Sequence, residues 1–211
     1  MKHLVIIGVG GFAREVYWHA QESLGYGIEW DVKGYLDGDV KLSENEYLKL
    51  SAPLLGDVNT YNIDDNDVFV CAIGNPTVRE KLVNSILEKG GQFINLIHKT
   101  ALIHGTAKMG TGNILTSFAC VNDHVVLGSH IIFNGRSGIG HDGKIDDFTS
   151  LMSIVDVQGN AIIGKRVFIA SGVHILAHAK VEDDAYIGVG SVVFKKVKKG
   201  QKVFGNPAMP I

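Results

Sequence analysis

The sequence has little proline, little cysteine and almost no excess charge. It contains four prolines and two cysteines in 211 residues, and its formal net charge is −2. Two cysteines cannot form a disulfide framework, and no cysteine pair has zinc-finger spacing. The balanced charge gives no sign of a nucleic-acid partner or of an anionic membrane surface. Apolar runs stay far below the roughly 18 residues that span a bilayer, and the short run before Gly8 is too brief for a signal peptide. These absences predict a cytoplasmic protein without membrane insertion.

Glycine, in contrast, is abundant, with 26 residues. Because proline is scarce, this excess does not indicate a low-complexity linker. It predicts many tight turns and therefore a repeated structure.

A repeat of six residues fills the second half of the chain. Every sixth position from Ile97 to Val193 is apolar, and the residue four positions later is mostly small, as at Ala101, Ala119 and Ser137. The apolar series is Ile97, Ile103, Met109, Leu115, Val121, Leu127, Phe133, Ile139, Ile145, Leu151, Val157, Ile163, Ile169, Ile175, Val181, Ile187 and Val193. A period of six fits neither an amphipathic helix nor a long alternating strand. It predicts short strands separated by turns, three to a coil, with the large aliphatic side chains stacked inside a parallel β-helix.

The first half shows the pattern of an α/β domain. A buried strand at Leu4–Ile7 leads into the glycine turn Gly8–Ala13, and a helical pattern continues from Ala13 to Leu24. This geometry lets the N–H groups at the start of a helix hold a phosphate. Gly8, Gly10 and Ala13 form the G-x-G-x-x-A version of the dinucleotide fingerprint.

Two further strands complete this domain. The strand Val32–Leu36 ends at Asp37, where an acidic residue often binds a ribose hydroxyl. The strand Val68–Ile73 ends at Gly74, and Pro76 opens a helix that runs to Leu87. About 90 residues suffice for half of a doubly wound domain, which suits a mononucleotide better than a dinucleotide. The sequence predicts a Rossmann-like half-domain followed by the β-helix.

Reactive groups must lie on the turns or the outside of an aliphatic β-helix, and histidines are the candidates. They are His98, His104, His124, His130, His141, His174 and His178. His141 is followed by Asp142 and flanked by Gly140 and Gly143, so the pair is predicted to point outward from a corner. A carboxylate beside an imidazole fixes its tautomer and raises its basicity, as a general base requires. Counting 18 residues from Asp142 predicts a polar column along the same corner, formed by His124, Asn160 and His178. A solvated turn histidine is the alternative interpretation of His141.

Six segments together resemble a known family. They are Gly8-Val9-Gly10-Gly11-Phe12-Ala13-Arg14-Glu15, Tyr35-Leu36-Asp37, Ala72-Ile73-Gly74-Asn75, Asn95-Leu96-Ile97-His98-Lys99-Thr100-Ala101, Ile139-Gly140-His141-Asp142 and Gly205-Asn206-Pro207-Ala208. In this order they resemble the two-domain bacterial sugar acetyltransferases of the NeuD/PglD type. The resemblance implies a nucleotide-sugar-binding domain over residues 1–95, a left-handed β-helix over 96–200 and a tail beside the cofactor over 201–211. It also implies a homotrimer that binds acetyl-CoA as co-substrate in the groove between adjacent β-helices, without a metal.

The resemblance assigns roles position by position. His141 would be the general base and Asp142 the residue that increases its basicity. The nucleotide sugar would be held by Gly10, Gly11, Phe12, Asp37, Gly38 and Gly74. Acetyl-CoA would be contacted by Ser150, Gly159, Ser171 and Val189. This chain departs from the common pattern at Phe12 and Ser150, where the family often has histidine, and at Met209, where a basic residue is common.

The predicted function is acetyl transfer from acetyl-CoA to the 4-amino group of a UDP-linked deoxy sugar, since the segment Asn95–Lys99 resembles that branch. O-acetylation of a sialic acid or a related glycan sugar is the alternative within the same chemistry. Two other classes stay open at this stage. One is a metal hydratase on the same β-helix, which needs three converging histidines. The other is a non-catalytic sugar-nucleotide binder.

Overall fold

The computed structural model describes residues 1–38 and 43–211, and it divides the chain into two units, Met1–Lys99 and Thr100–Ile211. The amino-terminal unit is built on a parallel sheet. Its elements in chain order are β1 (Lys2–Ile7), α1 (Gly11–Gln21), β2 (Trp30–Asp37), α2 (Glu44–Tyr47), β3 (Leu54–Asp57), β4 (Asp67–Cys71), α3 (Pro76–Leu87) and β5 (Gln92–Phe93), followed by the short strand Leu96–Ile97. Leu4–Ile7 and the whole of β4 are buried. Unbroken apolar runs of this kind are typical of parallel strands that are covered on both faces.

The strand order creates a crevice at one edge of this sheet. The order is β3-β2-β1-β4-β5, and every pairing is parallel. The chain leaves β1 towards β2 on one side and returns to β4 on the other. The loops that follow β1 and β4 therefore diverge, and such a switch point is where open α/β sheets bind ligands.

The carboxy-terminal unit is a parallel β-solenoid with three faces. The first face contains Leu102–Ile103, Cys120–Val121, Gly138–Ile139, Asp156–Val157, His174–Ile175 and Val192–Val193. The second contains Lys108–Met109, Val126–Leu127, Lys144–Ile145, Ile162–Ile163, Lys180–Val181 and Lys196–Val197. The third contains Ile114–Leu115, Ile132–Phe133, Ser150–Leu151, Phe168–Ile169, Tyr186–Ile187 and Lys202–Phe204, with Met209–Pro210 antiparallel to its last strand. Paired residues are 18 apart, as in Val121↔Ile139, so one coil takes 18 residues.

The interior of the solenoid follows the six-residue pattern. The inward residues from Leu115 to Val193 are buried, as are the small residues four positions later, for example Ala119, Ser137 and Ala161. The corners share one backbone conformation, because positive φ angles recur every sixth residue, as at His124, Asp142, Asn160 and His178. These four residues therefore occupy equivalent corner positions in successive coils, as the 18-residue count predicts.

The predicted fold class, an α/β half-domain followed by a hexapeptide β-helix, is confirmed. Element ends differ by a few residues. α1 stops at Gln21 rather than Leu24, because the N–H groups of Glu22 and Ser23 bond three residues back, to His19 and Ala20, in a tightened turn. Over the described ranges, the longest apolar helix still falls short of what a membrane crossing needs.

Candidate active site

The crevice of the amino-terminal unit holds a pocket of about 250 Å³. Its wall is formed by the loops after β1, β2 and β4 and by two side chains of α3, namely Gly8, Val9, Gly10, Gly11, Phe12, Asp37, Gly38, Ala72, Ile73, Gly74, Val78 and Leu82. All six residues predicted to hold the nucleotide sugar lie on this wall. The structure thus brings together residues from three separate loops.

Two helices begin beside this pocket, and they differ in how their N–H groups are used. α1 starts after Gly10, which offers no side chain to accept a hydrogen bond, and its first turn contains no acidic residue. α3 is capped, because the Asn75 side chain accepts a bond from the Val78 N–H at 3.1 Å and Pro76 has no N–H to offer. The start of α1 therefore presents the uncompensated positive end of a helix dipole to the pocket, the arrangement that binds phosphate.

Asp37 lies at the carboxyl end of β2 and supplies an acceptor to the same pocket. The Tyr47 hydroxyl donates to its Oδ2 at 3.2 Å. Its Oδ1 is buried without a hydrogen-bond partner among residues 1–38 and 43–211. A buried carboxylate oxygen needs a donor, and a ribose hydroxyl provides one.

His141 and Asp142 form a hydrogen-bonded pair on a corner of the solenoid. His141 Nδ1 lies 2.8 Å from Asp142 Oδ2, and the two side chains are 65% and 56% exposed. A carboxylate only accepts hydrogen bonds, so Nδ1 carries the proton of the neutral ring and Nε2 keeps its lone pair. The Asp142 N–H bonds the Asp123 carbonyl of the preceding coil at 2.9 Å, which fixes the corner.

Gly159 leaves room for the imidazole. It lies one coil beyond His141, and a Cβ built on it would be 2.7 Å from His141 Nε2. The next residue, Asn160, donates its N–H to the His141 carbonyl at 2.9 Å. A side chain at position 159 would therefore press on the nitrogen that has the free lone pair.

A groove of about 420 Å³ runs along the first face next to this pair. Gly140 and Gly159 form one wall, Arg136 and Ile154 lie on the other side, and Asp156 and His174 line it between them. Of the predicted cofactor residues, Gly159 is in the wall. Ser171 and Val189 are exposed, one coil apart on the corner before the first face, with the Gly190 N–H bonded to the Ser171 carbonyl at 3.0 Å. Ser150 is buried on the third face, so the structure does not bring it together with the other three.

Two more histidine–carboxylate pairs lie on the solenoid. His174 Nδ1 is 3.4 Å from Asp156 Oδ2 in the groove, and His124 Nδ1 is 2.9 Å from Asp123 Oδ2 at the corner before Asp142. Sequence reasoning considered His174 without its partner. The signal was available, because Asp156 and His174 are 18 residues apart and thus face each other across one coil. In the described part of the chain, no three His, Cys, Asp or Glu side chains converge as metal ligands would.

Both units match known family models. Residues 3–86 match the PglD N-terminal domain, and residues 160–195 match the bacterial transferase hexapeptide (six repeats). The chain joins a PglD N-terminal domain to bacterial transferase hexapeptide repeats. This confirms the family resemblance predicted from the motifs. The crevice pocket belongs to the PglD N-terminal domain, and His141 lies in the hexapeptide solenoid.

The relatives are sugar-modifying proteins. A GDP-perosamine N-acetyltransferase of Escherichia coli O157:H7 is 29% identical over 137 residues, which are 65% of this chain and 54% of that protein. This chain thus spans about half the length of that relative. The acetyltransferase domain of PglB from Neisseria gonorrhoeae is 26% identical with a TM-score of 0.88, and each chain is covered completely. Its structure in complex with acetyl coenzyme A has a TM-score of 0.84, also at 26% identity, covering 100% of this chain and 99% of that one.

Proposed function

We propose that this protein is an acetyl-CoA-dependent N-acetyltransferase of a nucleotide-linked amino sugar, with His141 as the general base. The observation that carries the proposal is the His141–Asp142 pair, held at 2.8 Å on an exposed corner with Gly159 beside the free nitrogen. The relatives support the chemistry, since one is a GDP-perosamine N-acetyltransferase and another is an acetyltransferase domain solved with acetyl coenzyme A.

The reaction needs one base and no covalent enzyme intermediate. The neutral amine of the sugar attacks the thioester carbonyl carbon of acetyl-CoA. As the new C–N bond forms, His141 Nε2 accepts the proton that the nitrogen loses, and the resulting imidazolium is stabilised by the Asp142 carboxylate on Nδ1. The C–S bond then breaks, and the leaving thiolate takes up a proton to give CoA. A backbone N–H near Gly159 is our proposed donor to the tetrahedral oxyanion.

The nucleotide part of the acceptor is assigned to the crevice pocket. In this proposal the phosphates lie at the start of α1, beside Gly10, Gly11 and Phe12, and the free Asp37 oxygen accepts a ribose hydroxyl. Gly38 and Gly74 complete the wall. The sequence favours a UDP-linked 4-amino sugar, whereas the Escherichia coli relative uses a GDP-linked sugar by name, so both nucleotides belong in the test.

The acetyl-CoA contacts are assigned to Gly159, Ser171 and Val189 along the first face. Ser150 is buried, so we assign it no direct contact with the cofactor. A homotrimer and a cytoplasmic location, both implied by the family resemblance, remain part of this proposal.

The test is a thiol-release assay with acetyl-CoA and a panel of UDP- and GDP-linked 4-amino sugars. Wild-type protein should turn over at least one of them, and His141→Ala should lower kcat at least ~100-fold, as expected for loss of a general base. His124→Ala is the matched control, because His124 is also 65% exposed and bonded to an aspartate. Activity that survives in His141→Ala would show that His141 is a turn residue. Release of thiol with a sialic acid but with no amino sugar would replace N-acetylation by O-acetylation.

A further inference from the structure

Arg79 is the largest fully buried side chain of the protein, and it lies behind the wall of the crevice pocket. It belongs to α3, is 1% exposed and does not line the pocket itself. Burying a guanidinium removes it from water at a considerable cost. An arginine at this place therefore calls for an explanation in terms of what it binds.

The guanidinium holds the loop that follows β4. Arg79 Nη1 donates to the Ile73 carbonyl at 2.6 Å and lies 3.3 Å from the Gly74 carbonyl. Both residues are on the pocket wall. Because their carbonyl oxygens are engaged by a group outside the wall, their lone pairs are turned away from the pocket, where they would repel a phosphate.

The same contact reaches the glycine loop after β1. Gly8 has φ +114°, and a Cβ built on it would be 2.8 Å from Ile73 Cδ1. The Ile73 side chain thus packs directly on the Gly8 backbone, next to the residues that begin α1. Arg79 fixes Ile73, and Ile73 in turn supports the loop whose N–H groups face the pocket.

Arg79 also keeps its charge. Burial lowers the pKa of Arg79 to about 10, with the nearby Cys71 thiol acting in the opposite direction. A group with this pKa is protonated at neutral pH. The pocket therefore has a buried cation behind one wall and an uncapped helix start on the other.

We propose that Arg79 is a positioning residue for the diphosphate of the nucleotide. It turns the Ile73 and Gly74 carbonyls out of the pocket and places a positive charge behind the phosphate site. The inference rests on the proposed function for the identity of the ligand, but it concerns binding and needs no acetyl transfer.

The test is calorimetric titration of the full chain with uridine, UMP and UDP, and with guanosine, GMP and GDP. In the wild type, affinity should rise with each phosphate for the preferred base. Arg79→Gln should weaken diphosphate binding ~10-fold or more, since charge-assisted contacts are the strong ones, and should change nucleoside binding less than about twofold. Arg79→Lys keeps the charge but lacks the planar fork, so it should lie between the two. Arg166→Gln is the control, because Arg166 pairs with Asp184 on the solenoid.

Two results would overturn the inference. One is an equal loss of nucleoside and diphosphate binding in Arg79→Gln, which would indicate general loop packing. The other is a wild type that binds nucleoside and diphosphate equally well, and this comparison decides the matter even if Arg79→Gln does not fold. Acetyl transfer that depends on His141 could persist in either case, so failure of this inference is distinguishable from failure of the proposed function.

Discussion

At the scale of single residues, three histidine–carboxylate pairs share one chemistry but differ in their neighbours. One coil beyond His141 lies Gly159, whereas Asp142 follows His124 and Val192 follows His174 at the same spacing. A glycine leaves space at the Nε2 side of the His141 ring, where a substrate nitrogen must approach to hand over its proton. The local spacing of residues, rather than the pair alone, identifies the proposed base.

Adding one methyl group at Gly159 tests this directly. In Gly159→Ala the new Cβ would lie 2.7 Å from His141 Nε2, so the ring must move by several tenths of an ångström or more. Misplacement on the scale of 1 Å costs about 100-fold in rate. We expect kcat/KM of acetyl transfer to fall ~100-fold while the thermal midpoint changes little.

Gly105→Ala is the matched control for that variant, because a Cβ at Gly105 has open space around it in the described part of the chain. An equal loss of activity in both variants would contradict the steric role of Gly159. So would an unchanged rate in Gly159→Ala.

At the scale of elements, a polar cluster ties the strands of the amino-terminal sheet to the loop before β4. Lys33 on β2 donates to Asp67 Oδ1 at 2.7 Å and to the Tyr61 hydroxyl at 2.8 Å. Asp67 Oδ2 accepts from Tyr61 at 2.7 Å and from the Asp64 N–H at 3.0 Å. Burial opposes ionisation of Asp67, but these bonds outweigh it and lower the pKa of this carboxyl below its ordinary value.

This cluster predicts how stability depends on pH. Since the pKa of Asp67 is lower in the folded state, its contribution is present in full above the ordinary Asp pKa of about 4. It is lost as the pH falls through the lowered value. Asp67→Asn should reduce the free energy of unfolding by about 1–3 kcal/mol at pH 7, and its stability should fall less steeply than that of the wild type towards acid pH.

Urea unfolding at pH 7 and at several acid pH values measures both effects. Asp65→Asn removes a carboxylate from the same loop, where the residue is exposed, and serves as the control. Parallel acid profiles of Asp67→Asn and wild type would rule out the assigned role.

The elements also show which parts of the fold can be predicted from the sequence. The hexads are predictable because every coil repeats one local rule, an inward aliphatic residue followed by a small corner residue. Ile103 and Met109 obey the pattern but are only half-buried, since they lie in the first coil, which has a neighbouring coil on one side only. The end of α1 was less predictable, because its last turn depends on bonds to His19 and Ala20 rather than on residue type.

At the scale of the whole molecule, the proposed sites combine residues that are distant in sequence. The crevice pocket could be predicted, because glycines and Asp37 follow strands whose carboxyl ends meet at one edge of the sheet. Arg79 could not, since it acts from behind the wall and looks in the sequence like one more helix residue. The Asp156–His174 pair becomes visible once the 18-residue coil is known, so it follows from the fold and not from a motif.

The solenoid surface predicts that copies of the chain associate. Phe118, Ile154 and Val189 lie on the corner before the first face and are 59%, 57% and 59% exposed. Large apolar side chains exposed together mark interaction sites. With the trimer implied by the family resemblance, we expect a mass of about 68 kDa, three times the 22.8 kDa of one chain, by light scattering after size-exclusion chromatography. The double variant Phe118→Ser, Ile154→Ser should shift the mass towards 22.8 kDa. Ile28→Ser changes an 84% exposed side chain of the other unit and should leave the mass unchanged. A wild type that elutes as a monomer, or a double variant that keeps the full mass, would place the association elsewhere or exclude it.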